Sequence, residues 1–244
     1  PGPFDTCQDL VKELNEDLAF KQQFHIGAVN SINWGRICAQ IVYYFKGYFA
    51  VSTDNSDPVD VVVPSGNFGN ILAGYMAKKM GLPLRHLWVS TNENRVLHQV
   101  FETGVYTQRD VHVTSSPSMD ISKASNIERL FFDVLDRDAD TCKGIMQTFK
   151  ETKTLDLQDQ LSRIREMGFR SGTSTHDERK SVIQRVYADT KRVVDPHTAA
   201  GIKVALELPE DGVVKLCMET AKPTKFEETI QEALGFVPER PKHF

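Results

Sequence analysis

Between a run of valines and a helix-length stretch lies Pro64-Ser65-Gly66-Asn67-Phe68-Gly69-Asn70, a turn whose residue types suit one kind of chemistry. Glycine lets a backbone come close to a ligand and take up torsions closed to other residues. The first amides of a following helix have no partner inside it and point outward. Their dipoles sum to about half a positive charge at that end. A phosphate or carboxylate fits there without a cationic side chain. The glycines are spaced G-x-x-G. That is neither the G-x-G-x-x-G of dinucleotide sites nor a Walker A loop, which needs Gly-Lys-Ser/Thr. A plain tight turn between strand and helix is the competing reading.

The flanking pattern sets where such a turn would sit. Val59-Asp60-Val61-Val62-Val63 is short and β-branched and reads as a buried strand ended by Pro64. Asn70 to Met80 places Ile71, Leu72, Tyr75, Met76 and Met80 on one broad helical face, and Gly81 and Pro83 stop it. Leu84 to Ser90 is a second strand, so strand, helix and strand predict a parallel βαβ unit. Further helices are expected over Asp5–Phe20, Asn33–Phe49, Asn94–Thr103, Asn126–Leu135, Thr141–Phe149, Leu155–Met167 and Thr224–Leu234. The Asn33–Phe49 helix is apolar enough to lie in the core. Short strands are expected at His25–Val29 and Val213–Met218. The segment from Lys150 to Asp177, rich in Thr, Ser, Asp and charge, is set apart as an insertion. It would divide a βα core (residues 4–149) from a C-terminal part (178–244) of the same domain. The fold class is α/β with a mainly parallel sheet flanked by helices. Ligands of such sheets sit beyond the carboxyl ends of the strands.

Composition narrows the function. The chain has 244 residues, 40% hydrophobic and 25% charged, with a net charge of -4. Nothing in that balance calls for a nucleic-acid or membrane partner, and no apolar run nears the ~20 residues that span a bilayer. The four cysteines form no C-x-x-C pair and read as reduced thiols of a cytoplasmic protein. None of the seven histidines has metal-ligand spacing to another or lies near a cysteine, so no metal site is expected. No Gly-x-Ser-x-Gly elbow occurs.

Longer stretches are recognisable. Val63 to Tyr75 resembles the phosphate loop of threonine synthases. Asn30-Ser31-Ile32-Asn33-Trp34 is similar to their Asn-Ser-Ile-Asn motif. Ser115-Ser116-Pro117-Ser118-Met119-Asp120-Ile121, Asp195-Pro196-His197-Thr198-Ala199-Ala200-Gly201 and Glu219-Thr220-Ala221-Lys222-Pro223-Thr224-Lys225-Phe226 resemble three further family segments. The five occur in family order and span nearly the whole chain.

The resemblance implies the large domain of pyridoxal-phosphate fold type II, like the β subunit of tryptophan synthase, incomplete at its N-terminus. It implies conversion of O-phosphohomoserine and water to threonine and phosphate, with pyridoxal phosphate as electron sink. The backbone of Gly66, Asn67, Phe68, Gly69 and Asn70 would hold the cofactor phosphate, and the Thr220 hydroxyl would lie near the pyridine nitrogen. Asn30, Ser31 and Asn33 would lie near cofactor or substrate, although Ser31 or Asn33 equally suits the N-cap of the next helix. Asp195 with Pro196 reads as a helix start. His197 and Thr198 would face the site in the family reading, or serve only that helix start.

Two positions depart from the family pattern: Asn70 where many relatives have Asp, and Lys222 where many have His. The Ala-Phe-Lys-Asp-like segment that carries the Schiff-base lysine is missing. Lys46 follows a phenylalanine but sits mid-helix among aromatics, where a lysine keeps its amine in water. The chain therefore reads as the C-terminal part of such an enzyme, without a catalytic residue of its own and inactive without the N-terminal segment. Alternatives are a truncated, non-catalytic interaction protein or a nucleotide-binding domain. The latter lacks an acidic ribose partner at Ser90-Thr91-Asn92.

Overall fold

The structure, a computed structural model, describes residues 4–27 and 30–240. Three helices lead in: α1 (Phe4–Glu16), α2 (Leu18–Phe24) and α3 (Trp34–Val51). There follow β1 (Val59–Pro64), α4 (Gly69–Lys79), β2 (Leu84–Thr91), α5 (Val96–Thr103), β3 (Val105–Thr107), α6 (Ile127–Val134) and α7 (Ala139–Thr152). The rest comprises β4 (Thr154–Asp156), α8 (Leu161–Glu166), β5 (Phe169–Thr173), α9 (His176–Thr190), α10 (Pro196–Glu207), β6 (Val214–Cys217) and α11 (Glu227–Leu234).

The main sheet has the order β5-β2-β1-β6, and all its pairings are parallel. The expected α/β class is therefore observed. All six residues of β1 are buried, as a strand covered on both faces requires. Alternation divides the work. Val59, Val61 and Val63 join Leu87 and Val89 beneath α3, α4 and α5. Val62 and the half-buried Trp88 face the other way, toward Val204 of α10.

Helix α3 packs on α4 so closely that a Cβ at Gly74 would lie 2.4 Å from the Tyr44 ring. The buried Tyr44 hydroxyl reaches Asn70 at 2.8 Å, at both its carbonyl oxygen and Oδ1. Burial holds that phenol well above its usual range. The opposite face of α3 is open, with Val42, Tyr43 and Phe49 each more than half exposed. The helix expected in the core therefore borders it: Ile37, Tyr44 and Tyr48 are buried and Ile41, Phe45 and Val51 half-buried against the core, while the opposite face is open.

Other expectations shift for local reasons. The single helix over 5–20 breaks at Asp17, whose side chain caps α2 at Phe20. The apolar Leu10, Leu14 and Leu18 of that stretch are exposed. In the expected strand His25–Val29, residues 28 and 29 lie outside the described residues, and His25 is the left-handed cap of α2. The helix expected over 155–167 begins as β4, because Leu155 and Leu157 are both buried around an exposed Asp156. That is a period of two, and β4 pairs antiparallel with β3 through Tyr106 and Leu155. Residues 150–177, set apart as an insertion, supply β5, the outer strand beside β2, with Phe169 buried.

Gly74→Ala should lower stability by about 1–3 kcal/mol, the usual cost of overpacking. A urea midpoint equal to that of the unsubstituted chain would show that the α3–α4 contact is looser than its geometry.

Candidate functional site

The strand order decides what shares the end of the sheet. β1 and β6 are neighbours, with Val62 opposite Cys217. Residues 65–70 and 218–220 therefore emerge side by side although some 150 positions apart. From β1 the chain moves to β2 on one side and later returns to β6 on the other, which makes this a topological switch point. A cavity of about 240 Å³ lies there, lined by Arg36, Ala39, Gln40 and Tyr43 of α3 with Asn70, Met218, Glu219 and Thr220.

The turn after β1 is held from several sides. Phe68 has φ 64°, a left-handed conformation costing a side-chain-bearing residue roughly 1–2 kcal/mol. Its ring compensates by burial, with centroids 5.9 Å from Phe101 and 5.7 Å from Phe169. A Cβ at Gly66 would meet the Ser118 carbonyl oxygen at 2.3 Å, so the chain passes there only as glycine. Among the described residues, the amides of Gly66, Asn67, Phe68, Gly69 and Asn70 donate to no protein acceptor. Successive amides around such a turn form a concavity suited to an anion.

The other singled-out segments converge on this turn. Asp195 caps α10 and bonds His197 Nδ1 at 2.8 Å, while His197 Nε2 accepts from the Ser118 amide at 3.1 Å. An amide can only donate, so the ring is protonated at Nδ1 and accepts at Nε2. Asp195 also accepts a hydrogen bond from the Thr198 hydroxyl, and Thr198 Oγ1 accepts from the Thr220 amide at 3.2 Å. His197 and Thr198 are thus buried supports that place the 116–119 turn and the Thr220 backbone. The Thr220 hydroxyl itself is exposed and makes no hydrogen bond among the described residues. Asp120 accepts from Asn92, Asn94 and Thr114, tying its loop to the end of β2.

In the Asn30–Asn33 segment, Asn33 caps α3 through the Gly35 amide and Asn30 folds back on the Ile32 amide. Ser31 lies against Gly69, its Cβ 3.1 Å from where a Cβ there would be. Its hydroxyl accepts from Asn126 at 2.9 Å. Asn126 is fully buried and had read only as the start of α6, yet its side chain makes no cap bond. It bonds the Asn67 carbonyl instead. Arg36 and Tyr44 were also unflagged, and nothing in their spacing separates them from other α3 residues. Lys46 is exposed on α3.

Electrostatically the site end is built from dipoles and satisfied pairs. Arg179, fully buried, bonds Glu93 at 2.9 Å and the Ser115 hydroxyl. Burial works to raise the Glu93 carboxyl, but the Arg179 bonds prevail and hold it below its usual range. At the end of β6, burial foremost and the Asp195 charge second push the Cys217 thiol up to about 12. Only the thiolate alkylates, so at pH 8 about one Cys217 in ten thousand is reactive. Iodoacetamide at that pH should label the exposed Cys38 long before Cys217, and urea should erase the difference. Equal native rates would show that the β6 end is open.

The residues at 198–244 match the family model described as threonine synthase, C-terminal. A threonine synthase of Methylobacillus glycogenes is 51% identical over 98% of this chain and 52% of its own length. Among solved structures, the PLP-bound threonine synthase from Brucella melitensis superposes with a TM-score of 0.90 at 42% identity, covering 99% of this chain and 52% of that one. The yeast threonine synthase gives 0.85 at 35% identity, covering 99% and 51%. The fold class is that of these enzymes, and the chain spans about half the length of the relatives it matches. Over nearly its whole length the chain is similar to threonine synthases, and its last residues match the C-terminal model of that family.

Proposed function

We propose that this chain forms the non-covalent side of a pyridoxal-phosphate site in a cytoplasmic threonine synthase, acting on O-phosphohomoserine and water to give threonine and phosphate. One observation carries the reading: the amides at 66–70 donate to no acceptor among the described residues, and Asn70 at the end of that turn lines the same cavity as Thr220, whose hydroxyl is likewise unengaged among them. These groups fit the cofactor. The backbone of Gly66, Asn67, Phe68, Gly69 and Asn70 would hold its phosphate, and the Thr220 hydroxyl would meet its ring nitrogen as donor or acceptor. When bound, the cofactor supplies an electron sink for charge developing beside the amino nitrogen of the substrate.

The chain's own residues bind and orient. Arg36 is the cation lining the cavity and has no ion-pair partner among the described residues, which suits it to a substrate phosphate. Ser31, pressed against Gly69, keeps a hydroxyl proton to donate. Asn30 and Asn33 serve this site indirectly, by shaping the turn that carries Ser31. The lysine that bonds the cofactor would belong to sequence outside this chain. The open face of α3 (Val42, Tyr43, Phe49) and the outer edge of β6, unpaired among the described residues, support docking of an N-terminal segment there.

Pyridoxal phosphate should bind the chain at least tenfold more tightly than pyridoxal, since only the former offers an anion to the turn. Equal affinities by fluorescence titration would remove the phosphate-loop reading. Phosphate release from O-phosphohomoserine by the chain alone should stay at background, and robust turnover would refute the need for an outside lysine.

A further inference from the structure

We infer that Asn126 is the positioning residue of the 66–70 turn, fixing the Asn67–Phe68 peptide so that the Phe68 amide faces the anion; this rests on the phosphate-site reading. The Asn67 carbonyl oxygen accepts twice from one residue, from the Asn126 backbone N–H at 3.1 Å and from Nδ2 at 3.1 Å. None of the described peptides is cis. In a planar trans peptide the carbonyl and the N–H point in opposite directions. Holding the Asn67 oxygen on the Asn126 side therefore turns the Phe68 N–H away from it.

Asn126 is itself immobilised. It is fully buried, its Nδ2 also donates to Ser31 Oγ at 2.9 Å, and its Oδ1 accepts from Arg129 at 2.5 Å. Arg129 also donates to the carbonyls of Ser31 and Ile32, at 3.2 and 2.8 Å. The same side chain thus couples the Asn30–Asn33 segment to the turn. Only an amide satisfies this set. Nδ2 must give two protons and Oδ1 must take one, and a carboxylate of the same shape would set an oxygen against the Asn67 carbonyl. The left-handed torsion of Phe68 is the strain this anchor maintains.

The test titrates inorganic phosphate, then pyridoxal phosphate, into the ¹⁵N-labelled chain and its Asn126→Asp variant, reading each loop amide and, separately, the urea midpoint. In the unsubstituted chain the Phe68, Gly69 and Asn70 resonances should all move. In Asn126→Asp the dissociation constant should rise at least tenfold. The amides of Gly69 and Asn70, set by α4, should still move at higher ligand, while Phe68 stays put. A general loss of structure would silence all three together. Should that variant not fold, Arg129→Gln frees Oδ1 and should weaken binding about threefold with the same selective loss at Phe68. Unchanged affinity with a responsive Phe68 in whichever variant folds overturns the inference alone. No movement of any loop amide in the unsubstituted chain overturns the phosphate-site reading and the inference with it.

Discussion

A planar peptide can present only one of its two polar ends to a ligand, and the other must be satisfied by the protein. At the turn after β1 the Asn67 carbonyl takes two donors from Asn126. The amides of the same turn donate to nothing among the described residues. That asymmetry is the one an anion site would need, and here the double anchoring of the carbonyl adds to the unpaired amides that any helix start provides. The torsion it requires is left-handed at Phe68, a costly state for a residue with a large side chain. The cost is offset where the ring enters the stack with Phe101 and Phe169. An aromatic in an anion loop is thus a structural rivet, and its backbone and side chain serve opposite sides of the turn.

The rest of the fold keeps the turn and the Thr220 segment in register. A parallel pair cannot slide without flipping its buried faces, and β1 is buried on both. Asp195 extends the control sideways, through His197 to Ser118 and through Thr198 to the Thr220 amide. Every member of this buried network is satisfied, a condition under which polar groups specify one arrangement. The same logic explains why five short segments carried the family likeness. Four of them contact one another at a single end of the sheet, and the fifth joins through Ser31 and Asn126.

Position 70 shows how the turn and the α3–α4 contact share one residue. Asn70 lies within the first turn of α4, where its backbone amide has no acceptor among the described residues and its side chain meets the buried Tyr44 hydroxyl. An amide there can donate to or accept from the phenol. A carboxylate could only accept, and the Tyr44 proton is also within reach of the Asn70 carbonyl. An aspartate here would change how the α3–α4 contact is satisfied and would leave the backbone amides of the turn in place.

The sequence by itself determined the βαβ unit and the helix ends at Thr103 and Leu234, and it singled out the turn at 66–70. These rest on local causes: valine runs, glycine torsions and unpaired first-turn amides. It also misread stretches where two periods compete, as at Leu155 and Leu157, whose alternation shows only once Tyr106 is seen opposite them. Only the tertiary structure decided that β6 returns beside β1, that His197 and Thr198 are supports and that α3 keeps an open face. It alone showed that Asn126, unremarkable as a helix start, reaches back to position 67. Those facts depend on contacts between residues from 22 (Thr198 and Thr220) to 155 (Val59 and Val214) positions apart, and no local pattern encodes which distant partner a residue will find.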